Sequence, residues 1–239
     1  PLVPAEWLAQ HLNDPKVRVI EVAEEPAAAA YREGHIPGAL SWFWKEALWH
    51  PTDREFPAPA EMAERLGRAG AGPDTALVLY SPRVQFGAYA FWVLQMCGHP
   101  DVRLLDGARK KWAAEGRPLT KEVPGFPPVN YPPQRADPSS RIGREGVRAG
   151  LGDARRLLLD VRAGDEYRGE RVRSAPGPDH GAERAGRIPG AVHLFFRELL
   201  NEDGTWETPM GQEYLPQYFE RGNADHGRHT IWHQKVVIV

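Results

Sequence analysis

The sequence predicts an α/β protein built from two copies of one domain, each a mainly parallel central sheet flanked by helices, the second copy incomplete over these 239 residues. Three observations carry that expectation. One phrase occurs twice at a register of 152 residues, first as Gly34-His35-Ile36-Pro37-Gly38-Ala39 and again as Gly186-Arg187-Ile188-Pro189-Gly190-Ala191. Short apolar, β-branched runs alternate with segments of helical periodicity, the pattern of a parallel sheet covered by helices. Between the copies, seven prolines fall from Pro118 to Pro138. Each fixes φ and removes a backbone donor, so the stretch reads as an extended linker rather than a strand or helix. The expected boundaries are 1–118 for the first domain, 119–140 for the linker and 141–239 for the second domain.

The elements follow in order. Pro4 opens a helix over Pro4–Leu12, with Trp7, Leu8 and Leu12 at helical spacing. Val17–Val22 is a strand rich in β-branched residues. Met62, Leu66 and flanking alanines predict a helix ended by Gly67–Gly70. Ala76–Tyr80 is the unbroken apolar run of a strand covered on both faces. Phe86–Cys97 follows as a helix stopped by Gly98, then Val102–Leu105 as a strand closed by Asp106-Gly107, then a helix carrying Trp112 and ending at Gly116. In the second copy Leu157–Val161 matches Val17–Val22, and each run ends in an acid and a valine, Glu21-Val22 and Asp160-Val161. Tyr167-Arg168 matches Tyr31-Arg32, and Val236–Val239 matches Ala76–Tyr80. The first copy continues through a helix, a strand and a helix after that run, so the second is expected to lack roughly 40 residues.

Composition removes several function classes. Thirty basic against 32 acidic residues give a formal net charge of −2, which favours neither nucleic acid nor an anionic membrane as partner. No apolar run approaches the ~18 residues of a membrane span. Pro1–Gln10 has no basic region ahead of an apolar stretch, so no signal peptide is expected and the cytoplasm is the expected compartment. The single cysteine, Cys97, excludes an intrachain disulfide and a cysteine-rich zinc site. It is expected as a packed residue at a helix C-terminus, where the dipole raises a thiol pKa. His226, His229 and His233 have the spacing of ligands on one helix face, but Gly227 interrupts them and no metal is expected. His35 opens a Pro-Gly turn and is expected to be structural. Most of the tryptophans, among them Trp42, Trp44, Trp49 and Trp92, are expected to seal a contact between the domains.

The ordered set of motifs resembles the rhodanese family, and within it the tandem-domain thiosulfate and 3-mercaptopyruvate sulfurtransferases. The residues concerned are Gly34–Ala39, the segment Gly98–Gly107 with Trp112 and Gly116, then Asp160-Val161-Arg162, Glu166–Gly169 and Ile188–Ala191. The resemblance runs from about Val3 to Phe219 and implies two rhodanese-like domains. It also implies a reaction: a cysteine thiolate takes sulfur from thiosulfate or 3-mercaptopyruvate, holds it as a persulfide and passes it to cyanide or a thiol acceptor. In the family that cysteine follows the strand matching Val236–Val239, in a loop of N–H groups at a helix N-terminus that stabilises anionic sulfur. The nucleophile of the second domain is therefore expected just after Val239. In the first domain Ser81 occupies the nucleophile position, and a hydroxyl cannot carry sulfane sulfur, so this domain is expected to be non-catalytic. The small anionic sulfur donor is expected on Arg162 and on Arg173, which lies in the insertion Glu170–Arg184 with Arg171 and Arg184. Arg162 has an alternative reading as a structural ion pair with Glu166. No cofactor is expected, because the protein itself carries the sulfur. The contrasting expectation for the whole chain is a catalytically inactive rhodanese-fold module used for binding or regulation.

Overall fold

The computed structural model describes residues 2–26, 28–50, 55–153, 155–172 and 184–206, and the backbone of 235–238. The chain divides into two units, Pro1–Ser140 with Glu202–Thr205, and Arg141–Asn201 with Trp206–Val239.

Unit 1 runs β1 (Leu2–Val3), α1 (Ala5–His11), β2 (Val17–Ala23), α2 (Ala29–Glu33), β3 (Leu40–Phe43), α3 (Trp44–Ala47), α4 (Pro59–Arg68), β4 (Ala76–Tyr80), α5 (Val84–Met96), β5 (Val102–Leu105) and α6 (Ala108–Ala114). Its five strands form one sheet in the order β1-β5-β4-β2-β3, and every pairing is parallel. The two-residue period of a strand divides the side chains between two cores. Ile20, Val22, Leu77 and Leu79 face a cluster completed by Met62 and Leu66 of α4 and by Phe86, Val93 and Leu94 of α5. Val17, Val19, Val78 and Tyr80 face a second cluster with Leu8 of α1, Ile36 and Trp112 of α6. Both faces of the sheet are thus covered, which is why β4 reads as an unbroken apolar run and β2 is buried along its whole length, Arg18 and Glu21 included. Trp44 is buried in the first cluster, with Trp42, Trp49 and Trp92 packed against it, so these four rings belong to the core of unit 1 itself.

The proline-rich stretch has no helix or strand from Lys121 to Asp137, as its composition predicts. It is packed against unit 1 along its length. His35 and Thr120 exchange backbone hydrogen bonds of 2.9 Å each, and the Arg18 guanidinium lies 3.4 Å from the Phe126 ring centroid. Val129 N donates to Gly67 O, Asp137 N donates to Met96 O, and the buried Tyr131 hydroxyl meets His99 Nδ1 at 2.8 Å.

Unit 2 contains α7 (Arg144–Ala149), β6 (Arg156–Asp160), α8 (Gly164–Arg168), β7 (Val192–His193) and β8 (Lys235–Ile238). Its described strands form a parallel sheet in the order β7-β6-β8, the arrangement of β3-β2-β4 in unit 1. Leu157, Leu159 and Leu194 make its small buried core.

Candidate active site

In unit 1 the chain leaves β4 at Tyr80 and turns into α5 through Ser81-Pro82-Arg83. Ser81 is buried, and its hydroxyl is committed in both directions. Oγ accepts the Gly87 N–H at 2.9 Å and donates to Arg83 O. Glycine at 87 leaves room for this approach, since a Cβ there would lie a tight 3.1 Å from Ser81 Oγ. Arg83 itself turns to Glu24, Nε to Oε1 at 3.0 Å. The Ser81–Arg83 turn is therefore closed on nearby polar atoms.

Behind this loop lies a buried polar group inside the apolar second cluster. Glu21, only 1% exposed, stands in register with Tyr80 across the β2–β4 pair. Tyr80 Oη hydrogen-bonds to Glu21 and accepts the Ile36 N–H at 3.2 Å. Glu21 Oε2 has no hydrogen-bond partner among the described residues. Burial pushes the Glu21 carboxyl above its ordinary range, against the Tyr80 hydrogen bond and the charges of Arg109 and His35. His35 is fully buried with Nδ1 on Tyr31 O at 2.8 Å, Nε2 on Glu122 O at 3.0 Å and its ring stacked on Tyr31. Those contacts tie the turn to α2 and to the proline-rich stretch, a structural role.

Unit 2 repeats the framework with different charges. Tyr167 Oη donates to Ala191 O at 2.8 Å, as Tyr31 Oη donates to Ala39 O at 2.7 Å. The Arg187 guanidinium covers the Tyr167 ring at 4.5 Å, where His35 stacks on Tyr31. Asp160 takes the place of Glu21 and is equally buried, but it has a cation. Arg162 grips it with two bonds, Nε at 2.9 Å and Nη2 at 2.6 Å, and Nη2 also donates to Gly186 O at 2.8 Å. Burial works to raise the Asp160 carboxyl; the Arg162 hydrogen bonds and charge outweigh it and hold it below its ordinary range. The ion-pair partner of Arg162 is thus Asp160. Glu166 lies at the start of α8, its carboxylate accepting the Ala163 N–H at 3.4 Å and facing Arg171 at 3.7 Å. Arg171 binds Asp165 at 2.9 Å, and Arg184 is exposed. His193 stacks on Tyr167, and its Nε2 donates to Arg162 O at 2.8 Å.

Of the residues singled out in the sequence, Arg162 is brought to the C-terminal end of β6, and Ser81 to the C-terminal end of β4. Arg173 and the histidines His226, His229 and His233 lie outside the described residues. Cys97 is buried at the end of α5 with Sγ 3.7 Å from Pro57 O, and burial raises its thiol pKa to about 11. The described residues contain no group of three potential metal ligands and no helix long and apolar enough to cross a membrane. Sequence reasoning missed the contrast between the two acids. The repeated acid–valine ending of the strands was visible, and so was the cation at position 162 against Ala23 in the first copy.

Residues 4–115 match the family described as the Rhodanese-like domain. The sulfur carrier protein TtuD of Thermus thermophilus is 43% identical over 211 residues, covering 87% of this chain and 73% of that protein. A protein of Saccharopolyspora erythraea named "Putative thiosulfate sulfurtransferase" is 38% identical over 231 residues, 96% of this chain and 80% of its own length. Among solved structures, SseA of Escherichia coli, described as a 3-mercaptopyruvate sulfotransferase with the rhodanese fold, superposes with a TM-score of 0.74 at 22% identity, over 99% of this chain and 87% of its own. With the parallel sheets, the repeated Ile-Pro-Gly-Ala turns and these relatives in view, the chain belongs to the rhodanese family of sulfurtransferases.

Proposed function

We propose that this protein moves sulfur from a small anionic donor, thiosulfate or 3-mercaptopyruvate, to cyanide or a thiol acceptor through a cysteine persulfide. The observation that carries the reading is a repeated strand register. Leu159 pairs with Ile238 as Ile20 pairs with Leu79, so the position matching Ser81 falls two residues after Ile238, immediately after Val239. On this reading the thiolate at that position attacks the outer sulfur of thiosulfate, the S–S bond breaks and sulfite departs with the bonding pair. Cyanide then attacks the persulfide's outer sulfur, thiocyanate leaves and the thiolate is restored. No cofactor enters either half-reaction.

Arg162 and Arg173 bind the donor in this scheme. Support for Arg162 is its geometry. Nε and Nη2 are fixed by Asp160 and Gly186, the side chain is one-third exposed, and Nη1 has no partner among the described residues. A guanidinium held in this way offers a preoriented contact to an anionic oxygen. Residues 1–118 form the non-catalytic domain, 119–140 the connection and 141–239 the catalytic-type domain, working in the cytoplasm. The relatives named as a thiosulfate sulfurtransferase and a sulfur carrier agree with this chemistry.

The test is the intact mass of the purified protein before and after thiosulfate, with 3-mercaptopyruvate in a parallel arm. A gain of one sulfur, about 32 Da, that cyanide removes supports the persulfide route. No gain from either donor overturns it and leaves a binding or regulatory module. Charge reversal at Arg173 should raise the donor KM, and an unchanged KM removes that residue from the site.

A further inference from the structure

β3 is the outermost strand of the unit 1 sheet, with β2 on one side and no described strand on the other. Proteins commonly protect such an edge with lysine, proline or an inward charge, and Leu40-Ser41-Trp42-Phe43 has none of these. Beside it lies a groove of about 340 Å³ formed by all four β3 residues, by Glu46 and Ala47, and by Arg65, Arg68 and Ala69 at the end of α4. Side chains of consecutive strand residues point to opposite faces. A groove that touches four in a row meets the strand along its edge, where the backbone N–H and C=O groups have no strand partner among the described residues.

The charges of the groove select the occupant. Two guanidinium groups face one carboxylate, Glu46. Arg65 is fixed by a hydrogen bond from Nη1 to Ala47 O. Arg68, with its side chain 66% exposed, has only an i,i+4 contact with the equally exposed Glu64 at 3.5 Å, a pair that contributes little and exchanges readily. Trp42 and Phe43, both half-buried against the first core cluster, also line the groove and give it an apolar surface. We propose that this edge accepts an extended acidic segment of a partner protein as a sixth strand, with a carboxylate on Arg68 and Arg65. Main-chain hydrogen bonds to β3 supply the affinity in this mode, and alternate side chains supply the choice of partner.

The probe is a fluorescein-labelled peptide, Gly-Val-Glu-Val-Asp-Val, titrated with the full chain and followed by anisotropy. No sulfur donor is present, so the outcome is independent of the persulfide chemistry. Saturable binding is expected, with backbone amide shifts centred on Leu40–Phe43 in NMR spectra. Methylating alternate peptide nitrogens, or Arg68→Glu in the protein, should weaken binding at least tenfold, and the peptide with lysine in place of both acids should not bind. Circular dichroism and the thermal midpoint of Arg68→Glu establish that this exposed substitution leaves the fold intact. Absence of binding up to millimolar protein overturns the proposal. So does binding that survives both N-methylation and Arg68→Glu, which would mark a diffuse contact elsewhere.

Discussion

Glu21→Gln should change how the stability of unit 1 depends on pH, and the sign follows from where the carboxyl sits. Its β2 neighbours on the same face, Val17 and Val19, belong to the apolar cluster with Ile36 and Trp112. The titratable and charged groups that face it are Tyr80, Tyr31, His35 and Arg109. Arg109 spends Nη1 on the carbonyls of Ala30 and Gly34, and no described cation forms an ion pair with Glu21. Burial therefore outweighs the Tyr80 hydrogen bond and the charges of Arg109 and His35, and the folded-state pKa lies above the ordinary 4.5. Between 4.5 and that raised value the folded chain holds a proton that the unfolded chain has released. The contribution to stability is fully present below the unfolded pKa and is lost as pH rises through the folded one. Within that window the slope approaches ~1.4 kcal/mol per pH unit. Gln has nearly the same shape and does not titrate, so its own cost is a constant offset. The assay is urea unfolding of both proteins from pH 4 to pH 8, followed by fluorescence of the buried tryptophans Trp44 and Trp112. The wild type should lose stability relative to Glu21→Gln as pH rises, and the difference should level off once the carboxyl is ionised in both states. Parallel curves, or a wild type that gains relative to the variant, would refute the reasoning.

Arg162→Met should leave the Asp160 carboxylate buried without its cation and destabilise unit 2 by about 2–4 kcal/mol at pH 7, a deficit that shrinks in acid as Asp160 takes up a proton. Urea unfolding at pH 7 and pH 4 measures both, and the sign is opposite to that of Glu21 because the Asp160 pKa is lowered on folding. Ala28→Gly and Ala108→Gly should each stabilise the chain by about 1 kcal/mol, since these alanines hold φ of 35° and 47°, where a Cβ is strained; thermal or urea unfolding decides. With a pKa near 11, Cys97 should react with a thiol reagent at pH 8 at least ~100-fold more slowly than an unhindered cysteine, and at an ordinary rate in denaturant.

The long elements were legible because their periodicity has one physical reading. β4 at Ala76–Tyr80 and β5 at Val102–Leu105 fall on the residues their apolar runs predict, and α5 and α6 end before the glycines expected to stop them. β1, α2, β3 and α3 were not anticipated. They have two to five residues, too few to display a period, and α2 begins after Ala28, which has positive φ and no capping side chain. β3 was hidden because Trp42 and Trp44 read as interface aromatics, whereas they pack on the core of their own unit. The partner of Arg162 was legible in principle. Arg162 follows the last residue of β6 by two positions in a bend, where its backbone N–H and its guanidinium both reach the Asp160 carboxylate, while Glu166 is carried away into α8. What no local pattern contains is the commitment of the Ser81 hydroxyl, because its partner Gly87 is positioned by the turn into α5.

The two copies of the framework handle one problem, a buried acid near the C-terminal end of β2 or β6, in opposite ways. In unit 2, Asp160 is neutralised by the residue two positions on, and the guanidinium that does so remains one-third exposed. In unit 1 that position is Ala23, so Glu21 relies on Tyr80 and on burial. The same division appears at the turn, where the fully buried His35 of unit 1 is replaced by the exposed Arg187. Unit 1 thus has buried groups, Glu21 and His35, where unit 2 has solvent-reaching cations, and its β4–α5 turn holds a serine closed on its own loop. Arg162 and Arg187 both hold the frame of unit 2 and reach solvent, and that placement is consistent with the donor-binding role proposed above for this copy.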